Sequence, residues 1–159
     1  MKKNYILVLL LVTVFSVVNA GTGRDKKNKP QSPKNIILMI GDGMGTAQVY
    51  AGYTALKGMM NITGMPVSGF SVTYSADDYI TDSGAGGTAL ATGVKTRNGS
   101  IGVDSSGLPV ESILEKAEKK GLSTALISTS AITHATPASF IAHTSDRSRY
   151  ADIAFDFLR

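Results

Sequence analysis

The 159-residue sequence contains no cysteine, and this absence narrows the possible classes of protein. Disulfide bonds are excluded, and so is a lipid anchor attached to a lipobox cysteine. The sequence also lacks an apolar run that crosses a bilayer comfortably. The run from Tyr5 to Val18 is shorter than the roughly 20 residues that a membrane-spanning helix needs.

The first twenty residues have the pattern of a secretory signal peptide. A short basic start, Met1-Lys2-Lys3, precedes the apolar run, and Val18-Asn19-Ala20 fits the small-x-small cleavage rule. We expect cleavage before Gly21 and a mature protein in the periplasm or secreted to the medium, with no stable membrane span. An uncleaved N-terminal anchor is the alternative interpretation.

Residues 21–34, GTGRDKKNKPQSPK, are predicted to form a flexible leader. This stretch is polar, contains two prolines and shows no apolar periodicity. It also carries much of the basic excess of a chain with 16 basic and 12 acidic residues. A nucleic-acid-binding arm would need a longer basic run with aromatic side chains. We therefore expect no nucleic-acid partner.

Residues 35–159 have the pattern of α/β architecture. Asn35 to Ile40 and Leu122 to Ser128 are apolar runs of strand length, typical of strands buried on both faces of a parallel sheet. Alternation favours another strand from Phe70 to Tyr74. Four helices are predicted: one capped by Thr46 and reaching Ala55, one beginning at Ser83, one with apolar positions from Val110 to Ala117 and its end at Gly121, and one from about Tyr150 to Arg159. This order predicts an α/β fold with a parallel sheet.

The segment Gly41-Asp42-Gly43-Met44-Gly45 places one carboxylate in a glycine-rich turn between a strand and a helix. The dinucleotide fingerprint needs the spacing G-x-G-x-x-G and offers backbone N–H groups to phosphate, whereas this turn offers an Asp. A carboxylate at a strand end suits magnesium or zinc. Asp42 is therefore a candidate metal ligand, and a helix-capping Asp in a tight turn is an equally supported alternative.

The segment TDSGAGGTALATG, residues 81–93, places Ser83 at the start of a glycine-rich helix. Each interior glycine costs a helix about 1 kcal/mol relative to alanine, so we expect that something needs the space, such as a ligand approaching the backbone. A helix N-terminus favours an anion, and a serine there can be a nucleophile. The nucleophile elbow of serine hydrolases is missing, which leaves metal activation as the common route. The alternative is that Ser83 simply caps the helix.

The segment THATPASFIAHTSDR, residues 133–147, contains a third group of candidates. Pro137 favours an extended conformation at Thr136, and in extended chain the side chains of His134 and Thr136 point the same way. Arg147 offers a planar fork for two phosphate oxygens. Taken singly, each has a structural alternative: satisfied histidines at 134 and 143, a cap at Thr136 and a surface charge at Arg147.

Taken in order, these segments resemble the N-terminal part of a bacterial alkaline phosphatase, from about Lys34 to the last residue. The resemblance implies an alkaline-phosphatase-like three-layer α/β sandwich, incomplete in this chain. It implies the following roles: Asp42 bridges a zinc and the magnesium, Ser83 becomes a phosphoserine, Thr136 binds magnesium, Arg147 grips the phosphate, and Asp82 positions that arginine. His134 falls where family members carry Asp or His, so either direct metal binding or a supporting role is implied.

The implied function is hydrolysis of phosphomonoesters with Zn²⁺ and Mg²⁺ as cofactors. Metal-activated Ser83 attacks phosphorus, and water then cleaves the phosphoserine. A homodimer of the full-length parent is left open. The alternatives are a sulfatase or phosphodiesterase of the same superfamily, and a non-catalytic nucleotide-binding module with the Asp42 turn as its phosphate loop.

The supply of metal ligands departs from the family. A catalytic zinc needs about three protein ligands, whereas this chain has two histidines and no cysteine. The resemblance implies that a longer C-terminal portion supplies the remainder. We therefore expect an N-terminal fragment or a truncated reading frame that is inactive alone, binds at most one weak metal ion, and exposes apolar surface.

Overall fold

The computed structural model describes residues 32–158. The predicted signal peptide and nearly all of the predicted leader lie outside the described residues. The chain divides into two units, Met1–Met39 and Ile40–Arg159, and every described helix belongs to the second. Among the described residues, no helix has both the length and the apolar character needed to cross a membrane.

Five α-helices and one 3₁₀ helix make up the regular structure of the described chain. They are α1 (Thr46–Ala55), the 3₁₀ helix (Asn61–Gly64), α2 (Ser83–Thr92), α3 (Ile113–Lys119), α4 (Ala135–Ala138) and α5 (Tyr150–Asp156). The four predicted helices are therefore confirmed with shifted ends. The 3₁₀ helix and α4 were not predicted.

The helix ends correct the cap predicted for α1 and exclude the alternative in which Ser83 caps α2. Gly45, and not Thr46, is the N-cap of α1, where its N–H donates to the side chain of Gln48. Asp82, and not Ser83, caps α2, because its carboxylate accepts the N–H of Ala85 at 2.8 Å. An Asp at this position supplies an acceptor to the orphan N–H groups of the first turn.

The predicted strands are not formed within residues 32–158, which contain only two isolated antiparallel bridges, Ile101↔Thr144 and Val103↔Pro109. Residues 35–40, 70–74 and 122–128 have no regular structure. A buried strand needs neighbours that pair its backbone and cover its side chains, and the side chains here are largely open to solvent.

The core lies in the second unit, around α4 and α5. Its buried residues are Ile101, Ala135, Ala138, Ala142 and Ile153, with Ile141 and Phe157 packed against them. Small side chains dominate this list, so neighbouring backbones approach closely. The segments that carry the candidate site residues 82, 83, 136 and 147 border this core.

Candidate active site

The carboxylate of Asp42 is the meeting point of three distant segments. Asp42 lies in an exposed turn in which the N–H of Met44 donates to the carbonyl of Gly41 at 3.1 Å. Its Oδ2 accepts the hydroxyl of Thr136 at 2.6 Å, and its Oδ1 accepts the hydroxyl of Ser83 at 3.4 Å. The structure thus brings together three of the residues predicted from separate motifs.

Ser83 is the first residue of α2. Because Asp82 satisfies the first turn of the helix, the Ser83 hydroxyl is not needed as a cap. It is partly buried and faces Asp42. A hydroxyl at a helix N-terminus lies where the N–H groups and the helix dipole favour negative charge.

Asp82 also anchors Arg147. Its Oδ2 accepts Nη1 of Arg147 at 2.9 Å and the N–H of Gly99 at 2.9 Å. The backbone N–H of Arg147 donates to the carbonyl of Gly99 at 2.7 Å. One short turn therefore fixes both the carboxylate and the backbone of the arginine.

The pKa of Asp82 lies below its ordinary value. Partial burial raises this pKa, but hydrogen bonds from Ala85, Arg147 and Gly99 together outweigh the burial and lower it. The carboxylate is therefore ionised at neutral pH and pairs with a guanidinium that always carries charge.

Thr136 and His134 do not share the extended geometry that the sequence predicted. Thr136 is the second residue of α4, and His134 precedes that helix. The ring of His134 is exposed and stacks on Tyr150, with 5.8 Å between ring centroids and 29° between planes. Pro137 is tolerated because a proline in the first helical turn removes no intrahelical hydrogen bond.

The glycines of α2 serve packing against the protein itself. A Cβ atom at Gly84 would come within 2.8 Å of the carbonyl oxygen of Ser100. One at Gly87 would come within 2.8 Å of the Ser139 hydroxyl and 3.3 Å of the Thr136 Cα. At these two positions the space expected for a ligand is taken by neighbouring chain segments, which brings Thr136 close to the start of α2.

Sequence reasoning missed two residues next to the arginine. Asn98 accepts the N–H of Asp82 with its side-chain oxygen at 3.0 Å and donates to the carbonyl of Ile80 at 2.8 Å. Gly99 has a positive φ of 84°, which favours glycine, and contacts both Asp82 and Arg147. The Asn98-Gly99 pair was a visible turn signal, but a turn signal does not reveal which side chains the turn binds.

The oxygens of Asp42 and Thr136 fit a hard cation. Magnesium takes a carboxylate and other oxygens together with several waters, so a carboxylate and a hydroxyl 2.6 Å apart are a suitable partial ligand set. Zinc is a different case. Among residues 32–158, no group of three or more His, Cys, Asp or Glu side chains could hold a metal ion, so the described residues do not build a zinc site.

Known proteins are similar to this chain in sequence. A model of the alkaline phosphatase family matches residues 33–157. Alkaline phosphatase 4 of Bacillus subtilis (strain 168) is 45% identical over an alignment that covers 94% of this chain and 37% of that protein. The alkaline phosphatase of Escherichia coli (strain K12) is 40% identical over an alignment that covers 76% of this chain and 28% of that protein.

Solved structures of alkaline phosphatases are similar to this chain in fold. The alkaline phosphatase from the Antarctic bacterium TAB5 matches with a TM-score of 0.76 and 42% identity, over 79% of this chain and 36% of that chain. A mutant of the TAB5 protein with Mg bound in its M3 site gives a TM-score of 0.77 and 40% identity, over the same shares. This chain spans 37% or less of the length of these relatives. The fold is alkaline-phosphatase-like, and the chain belongs to the alkaline phosphatase family.

Proposed function

We propose that this segment provides the nucleophile and the phosphate-binding arginine of a phosphomonoesterase. The observation that carries the proposal is the contact of Ser83 and Thr136 with one carboxylate, Asp42, within residues that match the alkaline phosphatase family. The Asp82–Arg147 pair lies one residue from Ser83 and supplies a fixed cation beside the nucleophile.

The chemistry proposed for the residues has two displacements at phosphorus. The Ser83 oxygen attacks phosphorus, the P–O bond to the alcohol breaks, and a phosphoserine forms. Water then attacks the phosphoserine, releases inorganic phosphate and restores the Ser83 hydroxyl. Arg147 would bind non-bridging phosphate oxygens through its planar fork, because charge on these oxygens must be stabilised in each displacement.

Asp42 and Thr136 would hold a magnesium ion as two of its oxygen ligands. A divalent cation supplies Lewis acidity, which favours ionised oxygen nucleophiles at neutral pH. His134 is proposed to lie at the edge of this site, since it directly precedes the helix that carries Thr136. The described residues do not fit zinc, and we assign no step to it.

Two finer features of the family remain proposals for this chain. Residues 35–40 and 122–128 are proposed to be strands of a parallel sheet in the complete fold, because both are apolar runs of strand length. The segment before Gly21 is proposed to be a cleaved signal peptide that directs the protein to the periplasm or the medium. N-terminal sequencing of the exported protein tests the second proposal: Gly21 supports it, and an intact Met1 on a membrane-bound form contradicts it.

The decisive experiment traps the phosphoserine. The protein expressed from its complete gene is incubated with labelled inorganic phosphate at acid pH and quenched. We expect label on wild type and on the control Ser123→Ala, which removes an exposed serine, and none on Ser83→Ala. Label that persists on serine in Ser83→Ala would show that Ser83 is not the nucleophile. Faster turnover of a phosphodiester than of a monoester would favour a phosphodiesterase instead.

A further inference from the structure

The ring of His143 is bonded at both nitrogens. Nδ1 lies 2.6 Å from the carbonyl oxygen of Gly102, and Nε2 lies 3.0 Å from Oε1 of Glu115. A carbonyl only accepts hydrogen bonds, and so does an ionised carboxylate. Both ring nitrogens must therefore donate, which requires the charged imidazolium form of His143.

The surroundings favour this charge. Burial lowers the pKa of His143, but the Gly102 carbonyl and the Glu115 carboxylate outweigh it and raise the pKa above its ordinary value of 6.5, with a further contribution from Asp156. Burial likewise raises the pKa of Glu115, and bonds from Ser112 and His143 outweigh it and lower that pKa. The charged groups facing the ring are Glu115, in the first turn of α3, and Asp156, at the end of α5.

Glu115 is fixed independently of the histidine. Its Oε2 accepts the N–H of Ser112 at 2.7 Å, and its own N–H donates to the Ser112 hydroxyl at 3.1 Å, which is a capping box at the start of α3. The Ser112 hydroxyl donates in turn to the carbonyl of Phe140 at 2.6 Å. The His143 ring is thus held against a carboxylate that cannot swing away freely.

His143 and Arg147 lie on one chain segment and flank a short antiparallel pairing, one on each side of it. Ile101 and Thr144 exchange both backbone hydrogen bonds at 2.8 Å. On one side of this bridge, Gly102 contacts the His143 ring. On the other side, Gly99 accepts the N–H of Arg147 and donates to the carboxylate that binds its guanidinium. Residues 99–102 therefore connect the histidine to the arginine through four residues of backbone.

We propose that His143, held by Glu115, is a positioning residue for Arg147 and acts through the pairing of residues 99–102 with residues 143–147. The proposal rests on the proposed function only in that Arg147 binds phosphate. In this role the ring of His143 does not contact the substrate, and the effect of His143 is to fix the turn at Gly99.

The sign of the pH dependence follows from the two bonds. Because the folded-state pKa of His143 is raised, its contribution is complete below 6.5 and is lost as the pH rises through the folded-state value. Above that value the ring has one proton, so it can no longer donate to both Gly102 and Glu115. Arg147 should then be held less firmly.

The first test needs no catalytic activity. Nuclear magnetic resonance of this chain follows the His143 ring and the Nε–H of Arg147 from pH 5 to 9; the sequence contains only two histidines, which simplifies assignment. We expect the Arg147 signal to shift with the His143 midpoint. Glu115→Gln keeps the capping box, since Gln serves there as Glu does, and should lower both midpoints together. The control Glu111→Gln, which removes a carboxylate paired with Lys119 instead, should move neither.

The second test measures binding of inorganic phosphate to the protein from its complete gene at pH 7. Loss of one charge-assisted contact should weaken binding in Glu115→Gln by about threefold to fivefold relative to Glu111→Gln. The positioning role would be overturned if the Arg147 signal does not shift as His143 titrates. It would also be overturned if Glu115→Gln binds phosphate as tightly as wild type does. If wild type binds no phosphate while Arg147 still follows His143, the proposed function fails and the coupling stands.

Discussion

Residues 40–74 and residues 75–158 are packed in different ways. In the first region no residue is buried, and apolar side chains such as Met59, Val67 and Val72 are 75% exposed or more. In the second region lie all the buried residues of the described chain, from Ser75 to Ile153. The contrast shows that a stretch with a regular helix, α1, need not contribute to a core.

The candidate site draws on both regions, and the two contributions differ in kind. The backbone at Ser83 and Arg147 is held in place by close packing of α2 and by part-buried hydrogen bonds. Asp42 comes from the exposed region and reaches the site through two hydroxyl contacts. The proposed nucleophile and the proposed phosphate-binding arginine are therefore positioned by the fold, whereas the carboxylate proposed to bind metal is positioned mainly by its hydrogen-bond partners.

The largest expected difference in the free energy of unfolding is between matched valine substitutions in the two regions. Val103 is 3% exposed, so Val103→Ala removes two buried methyl groups and should lower the free energy of unfolding by about 2 kcal/mol. Val72 is 75% exposed, and Val72→Ala should change the free energy of unfolding by less than about 0.5 kcal/mol. Urea unfolding followed by circular dichroism measures both. Equal losses would mean that residues 40–74 are packed after all.

A smaller effect tests the packing of α2 itself. Gly84→Ala places a methyl group 2.8 Å from a backbone oxygen and should destabilise the chain by about 1–2 kcal/mol. At Gly86 the nearest atoms belong to Thr81, at 3.6 Å, so Gly86→Ala fits and should stabilise the helix by up to about 1 kcal/mol. Thermal unfolding of the pair gives the comparison. A stabilising Gly84→Ala would refute the close contact with residue 100.

These contrasts also explain which features the sequence could predict. Helices α1, α2, α3 and α5 were predictable because their signals are local, such as the Ser112–Glu115 capping box and Gly93 in the left-handed conformation after α2. The parallel sheet stays a prediction, because strands need pairing partners and the predicted strands are not formed within residues 32–158. The candidate site residues Asp42 and Ser83 were identified from their motifs, and the structure adds that their side chains are in contact.

The misplaced Thr136 shows how local rules compete. The rule that a residue before proline is extended predicted an extended Thr136 with its side chain on the same side as that of His134. Instead, α4 accepts Pro137 in its first turn, and the N–H of Ser139 bonds to the carbonyl of Ala135. The contacts of the His143 ring could not be predicted either, because Glu115 and Gly102 are distant in sequence and nothing in their spacing indicates contact with His143.

A still smaller effect is expected for the stability of residues 75–158 in acid, to which Asp82 contributes. Because the pKa of Asp82 is lowered by folding, its contribution is present above 3.8 and is lost as the pH falls through the folded-state pKa. Asp82→Asn should therefore lower the unfolding midpoint at pH 6 and approach wild type as the pH falls below 3.8. Arg147→Gln should show part of this loss, because the N–H donors of Ala85 and Gly99 remain. A pH-independent difference would assign the effect to packing.

The smallest stability effect is expected at Asp42, the proposed magnesium ligand. Asp42→Asn keeps an oxygen that accepts the Thr136 hydroxyl and lies in an exposed turn, so the free energy of unfolding should change by less than about 0.5 kcal/mol. Magnesium binding, measured by calorimetry, should nevertheless be lost, because a neutral amide is a weak ligand for a hard cation. The control Asp152→Asn removes an exposed carboxylate paired with Arg149 and should leave magnesium binding unchanged. If Asp42→Asn instead unfolds the chain, the exposed region supports the fold as well as the site, and the distinction between the two regions is wrong.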